Sequence, residues 1–261
     1  MLGFNGGLMG VRRTPTTGTA SGLWFQNEQS VAKRAGIWPS AGDPTPGLSP
    51  VLWYDFADET TVTTSGTEIT AVTSKGSRAW TLSKSATGPQ YVTGINSKKC
   101  LDWGSSNHNN YLRNTDTTTT AIAEIYVIMD GAFGGTYTSF GGLITSSSDP
   151  GWRISGNSTS YNQDGTGFDR AYINGGTTDR FSTSHFTSPS VDDPSIIRIL
   201  NNGSASFNAT QGVQLGNDRT NAGRGWLGLI GEVICFSSVL SSTDRDSLQT
   251  WLAAKWGITL V

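Results

Sequence analysis

The sequence predicts an all-β protein: an antiparallel β-sandwich closed by one short C-terminal helix and preceded by an extended N-terminal leader. Three observations carry this expectation. Many short runs rich in Val, Ile, Thr and aromatic residues follow one another, separated by turn residues. The 261-residue chain holds 33 glycines and only 15% charged residues, with long stretches of Ser, Thr and Asn, which is the composition of a turn-rich β protein. A clear helical period emerges only near the end.

The first element is the leader, residues 1–45, with the sandwich expected over 46–261. They meet in Gly42-Asp43-Pro44-Thr45-Pro46-Gly47-Leu48-Ser49-Pro50, which cannot continue a helix or a central strand and reads as a linker. Within the leader, Asn27 is placed as an N-cap with Glu28 in the first turn, Lys33 and Arg34 near the end and Gly36 as the stop, giving a helix of about two turns. So short a helix is unstable alone in water. Its apolar groups Trp24, Phe25, Val31, Ile37 and Trp38 therefore fold back on the sandwich or dock on a partner, and they are the scaffold-docking candidates.

Strand-like runs follow at Val51–Phe56, Glu68–Thr73, Ala79–Lys84, Lys99–Trp103, Ala121–Asp130, Gly142–Thr145, Trp152–Ser155, Arg170–Ile173, Ser195–Leu200, Gln211–Leu215 and Leu227–Phe236. Ile122–Met129 and Ile230–Phe236 are apolar at nearly every position, as central strands covered on both faces would be. The period changes after Leu240: Ser241 or Ser242 caps a helix, acids occupy its first turn, Leu248, Trp251, Leu252 and Lys255 follow at helical spacing, and Gly257 stops it. Cys100 and Cys235 lie in strand-like sequence, where reduced core packing is expected rather than a disulfide.

Charge limits the partners. A net charge of −2 with no basic stripe argues against nucleic acid, since phosphate binding needs clustered Lys and Arg. The apolar run Ile122–Met129 is far shorter than the roughly 20 residues that span a bilayer, so no membrane insertion is expected. The first thirteen residues carry their positive charges after the apolar part, unlike a secretory signal.

Two resemblances sharpen this reading. Leu52-Trp53-Tyr54-Asp55-Phe56-Ala57-Asp58, Ile69-Thr70-Ala71-Val72, Leu101-Asp102-Trp103-Gly104, Trp226-Leu227-Gly228-Leu229-Ile230-Gly231-Glu232-Val233-Ile234 and Trp251-Leu252-Ala253-Ala254-Lys255-Trp256-Gly257 resemble, in order, segments of concanavalin A-like, laminin-G-like domains. The resemblance covers about residues 48–258 and implies a jelly-roll sandwich of a kind that commonly binds carbohydrate or protein, though fold alone does not establish function. The Gly-rich start, Gly22-Leu23-Trp24, Asn27-Glu28-Gln29 and Gly36-Ile37-Trp38-Pro39 are similar to leaders on structural proteins of tailed bacterial viruses, notably those of marine and cyanobacterial hosts. That likeness implies a virion component, a fibre, decoration or appendage protein held to other virion proteins by its leader. A symmetric homo-oligomer is the default for such components, with a trimer as one option.

The search for chemistry returns little, and no enzymatic activity is expected. Retaining glycoside hydrolysis needs two carboxyls about 5 Å apart, and no strand carries such a pair. Glu232 stands alone in an apolar strand and reads as a structural, hydrogen-bonded carboxylate. His108 and His185 sit in polar turns. Asp164, Asp169 and Asp192-Asp193 provide too few of the six to eight oxygens that calcium takes, so no metal or other cofactor is expected.

Aromatic residues leave binding open. Sugars stack on exposed rings while amides and hydroxyls satisfy their OH groups, and Trp152, Tyr161, Phe168 and Tyr172 are the glycan-contact candidates, with Phe181 and Phe186 further along. The same rings equally suit a core or a subunit interface, the commoner fate. Host-surface glycan is therefore an expected ligand of the displayed sandwich, and a free carbohydrate-binding lectin is the alternative.

Overall fold

The structure, a computed structural model, describes residues 45–104, 110–116, 118–130, 141–147, 153–156, 161–164, 168, 170–177, 194–200, 207–209, 212–219 and 223–261. After one helical turn at Thr45–Leu48 come β1 (Leu52–Asp55), β2 (Val62–Ser65), β3 (Glu68–Thr73), β4 (Thr81–Lys84), β5 (Gln90–Thr93), β6 (Lys99–Asp102) and β7 (Leu112–Arg113). They are followed by β8 (Thr120–Ile122), β9 (Glu124–Asp130), β10 (Gly141–Thr145), β11 (Arg153–Gly156), β12 (Tyr161–Asp164) and β13 (Arg170–Ile173). The last are β14 (Ser195–Leu200), β15 (Phe207–Ala209), β16 (Gln214–Leu215) and β17 (Leu229–Phe236), ahead of the C-terminal helix Ser242–Trp256.

Fifteen of these strands join in one sheet, ordered β12-β11-β10-β16-β7-β4-β3-β5-β6-β17-β9-β14-β13, with β1 added to β17 and β2 to β3. Both ends of this path bury side chains in one cluster: Ile154 of β11 and Ala171 of β13 share it with Tyr54, Ile69, Leu101, Val127, Ile197 and Val233. A sheet whose opposite ends enclose the same core has curled over on itself, so residues Thr45–Val261 form one compact β-unit.

The middle of the path is covered twice. Alternate residues of a strand point to opposite faces, and Trp53, Cys100, Tyr126, Ile128, Ile196, Ile234 and Phe236 form a second cluster on the outer face with Leu248, Leu252, Ala253 and Trp256 of the helix. This is why β9 and β17 are apolar at nearly every position. The expected single strand Ala121–Asp130 is in fact two. It breaks at Ala123, whose N–H donates to the Phe236 carbonyl, and β8 leaves to pair with β15.

The helix is fixed at each end by its own sequence. Ser241 Oγ accepts from the Asp244 N–H at 3.2 Å and donates to the Asp244 carboxylate at 2.8 Å, satisfying one of the free donors of the first turn. Gly257 ends the helix with φ 64° and its N–H on the Ala253 carbonyl, a left-handed cap that glycine adopts without a Cβ clash. The helix seats on β17 at a register shift between Ile230 and Glu232. There a Cβ on Gly231 would stand 2.6 Å from the Trp256 ring, so only glycine lets the indole approach the strand. Cys100 and Cys235 are both free and fully buried, Cys235 in the inner cluster and Cys100 in the outer.

Candidate functional site

Two buried carboxylates tie the helix to the sheet and thereby shape the surface beside it. Glu232 of β17 is fully buried; its Oε1 accepts from Trp53 Nε1 at 2.7 Å, and its Oε2 from Trp256 Nε1 at 2.7 Å and Lys255 Nζ at 2.8 Å. Lys255 also reaches Asp55 at 2.9 Å. Burial pushes the Glu232 carboxyl above its ordinary range, and the Lys255 ammonium and the Trp256 N–H oppose that shift. Glu232 is thus a hydrogen-bonded structural group, saturated by indoles and by an ammonium that it shares with Asp55, its buried partner across β1 and β17.

Glu124 of β9, also fully buried, accepts from Tyr126 Oη at 2.7 Å, Arg198 Nε at 2.5 Å and the Leu240 N–H at 2.7 Å. It joins β9, β14 and the segment entering the helix. Burial, and next the Glu124 charge, push the Tyr126 phenol upward, which keeps it protonated as a donor to Glu124.

Strand register then places Tyr172, Arg198, Tyr126 and Ile234 side by side across β13, β14, β9 and β17. The helix covers Ile234 and Tyr126. Beyond its flank the row emerges as a pocket of about 190 Å³ lined by Tyr172, Arg198, Arg245, Gln249 and the turn Gly175-Gly176-Thr177. Arg245 and Gln249 are four residues apart and so share one helix face. The Arg198 guanidinium lies 5.3 Å from the Tyr172 ring centroid, a stacked arrangement with the ring.

The pocket's far wall is equally fixed. Asn174, with φ 51°, donates its N–H to the Ile196 carbonyl at 2.9 Å and accepts from the Ile196 N–H at 2.8 Å through Oδ1. Gly176 N–H returns to the Ile173 carbonyl, and Val261 N–H donates to the Asn174 carbonyl. Because β13 ends the sheet path, no described strand lies beyond Tyr172. A half-buried ring edged by planar donors and an amide is chemically suited to a polyhydroxylated ligand.

A separate polar cluster lies on the other half of the sheet. Buried Asp218 pairs with Arg153 at 3.2 Å, Arg219 at 2.9 Å and Arg224 at 2.8 Å, and it holds the loop between β16 and β17. Among the described residues no group of three or more His, Cys, Asp or Glu side chains is placed to hold a metal ion. No described helix is long and apolar enough to cross a membrane.

The sequence-derived candidates fare unequally. Tyr172 lines the pocket. Phe168 is corrected: it is fully buried in the inner cluster, where the hydrophobic gain from its ring is realised internally and no face is left for a sugar. Tyr161 lies in β12, but its side chain, with Trp152, is outside the described residues, as are the leader positions Trp24, Phe25, Val31, Ile37 and Trp38. His108, Phe181, His185, Phe186, Asp169 and Asp192-Asp193 also lie outside them, as does the side chain of Asp164. Arg198, Arg245 and Gln249 were not among the candidates. The one available signal was Arg198, a lone charge inside the apolar run Ser195–Leu200.

No protein-family model matches this chain. No curated protein is significantly similar to it either.

Proposed function

We propose that the chain is a non-enzymatic virion component of a tailed phage, in which a concanavalin A-like jelly roll is displayed outward and binds host-surface glycan, while the leader attaches to other virion proteins. The observation that carries the binding half is the pocket beside the helix, where Tyr172 stands against Arg198, Arg245 and Gln249. Sugars are held by a ring that stacks on their apolar face and by planar groups that bond their hydroxyls. The attachment half is supported by the likeness of the leader to those of tailed-phage structural proteins and by its bulky apolar groups around a helix too short to stand alone.

Applying the full chain to a glycan array tests the first half. Retention of particular glycans, lost on Tyr172→Ala, is the expected result, and retention of none would overturn it. Deleting residues 1–40 tests the second: incorporation into particles should be lost while the sandwich stays folded, and unchanged incorporation would favour a free lectin.

A further inference from the structure

Resting on the reading of this pocket as a glycan site, we infer that its ligand is an anionic sugar carrying a carboxylate, and that Arg245 is the residue that selects it. Among the described residues, the charged side chains lining the pocket are two guanidiniums, Arg198 and Arg245, and none is a carboxylate. The acid behind it, Glu124, is fully buried and already accepts three hydrogen bonds. Arg198 gives its Nε to Glu124 and is fixed in place by it.

Arg245 is held differently. Its ion-pair partner is Asp246, its own neighbour, at 2.8 Å, and the two side chains are 32% and 64% exposed. An exposed pair of this kind holds its arginine weakly. A ligand carboxylate entering the pocket can therefore take the guanidinium fork over from Asp246, gaining a two-pronged, charge-assisted contact that a neutral hydroxyl cannot provide. No covalent bond changes in this exchange.

Gln249, 5% exposed, also lines the pocket, where its amide brings one donor side and one acceptor side to adjacent hydroxyls. The cavity of about 190 Å³ corresponds to roughly six water volumes, which suits one terminal sugar residue rather than a long stretch of chain.

The test is an array carrying uronic-acid and sialic-acid glycans, each beside a neutral parent made by esterifying or reducing the carboxylate. It is probed with the full chain, Arg245→Gln, Asp246→Asn and Tyr172→Ala, with circular dichroism as the check of folding. Acidic members should be retained over their parents by roughly tenfold or more, the worth of one charge-assisted hydrogen bond. Arg245→Gln should remove that preference, so that the acidic and neutral members of each pair are retained to the same extent. Asp246→Asn, which frees Arg245 without touching the pocket, should strengthen acidic binding by up to about fivefold. Equal retention of both members of each pair, lost on Tyr172→Ala, would overturn the selectivity and leave the glycan reading intact. A preference for acidic members that survives Arg245→Gln would also overturn it. Retention of no glycan would overturn both.

Discussion

Replacing Glu232 by glutamine probes how the C-terminal helix is fastened, and the cost can be worked from the atoms it meets. The carboxylate receives Trp53 Nε1 on one oxygen and Trp256 Nε1 with Lys255 Nζ on the other. A glutamine that keeps its oxygen toward Trp53 turns an NH2 group toward two donors. Lys255 retains Asp55 at 2.9 Å, but the Trp256 indole N–H, on a fully buried residue, loses its acceptor, which costs about 1–3 kcal/mol. Part of this is offset, because the ionised carboxylate itself suffers from burial. The net expectation is about 2 kcal/mol for Glu232→Gln, and about 3–5 kcal/mol for Glu232→Ala, which strands the second indole and opens a cavity. Against a total stability of about 5–15 kcal/mol this is readily measured as a fall in the urea midpoint followed by circular dichroism. A loss for Glu232→Gln within about 0.5 kcal/mol, the scale of ordinary surface changes, would refute the reasoning.

Other expectations follow from single contacts. Gly231→Ala should destabilise by about 1–3 kcal/mol, the usual cost of overpacking, because its Cβ would stand 2.6 Å from the Trp256 ring; the same titration measures it. Cys100 and Cys235 are fully buried, and burial pushes both thiols upward. Both should resist a thiol reagent in the native protein and react together on unfolding; fast labelling of the native chain would contradict their placement. Hydrogen bonding from Thr60 leads in holding the Asp58 carboxyl below its ordinary 3.8, with Lys75 adding to it. Its contribution is therefore present above that value and lost as pH falls through the lowered pKa. Asp58→Asn should cost under about 1 kcal/mol at neutral pH, as expected for a partly exposed ion pair, with the difference from wild type vanishing in strong acid. A difference that grew on acidification would reverse the sign.

The fold was largely legible because burial writes itself into hydrophobic pattern. Glu68–Thr73, Arg170–Ile173 and Ser195–Leu200 read as strands and are strands with those bounds. The helix was legible because its cap and stop are local chemistry. What escaped were β2, β5, β7, β12 and β15; in β2 and β5 the Thr, Ser and Gln side chains stay largely in solvent, so no apolar alternation marked them. Phe168 escaped in another way: lying among Gly and Asp residues, it has the sequence context of a turn, yet its ring is in the core. The pocket was legible only through Tyr172. Its partners come from β14 and the C-terminal helix, and neither spacing nor composition shows that register and helix seating bring Arg198, Arg245 and Gln249 to one ring.

The most direct test of the binding account is a titration of the full chain with an array-selected glycan, followed by NMR of labelled tyrosine rings and arginine side chains. The account predicts that the Tyr172 ring and the Arg245 Nε–H shift first and most, with Arg198 next. Shifts confined to Arg153, Arg219 and Arg224 around Asp218, with Tyr172 unmoved, would contradict it.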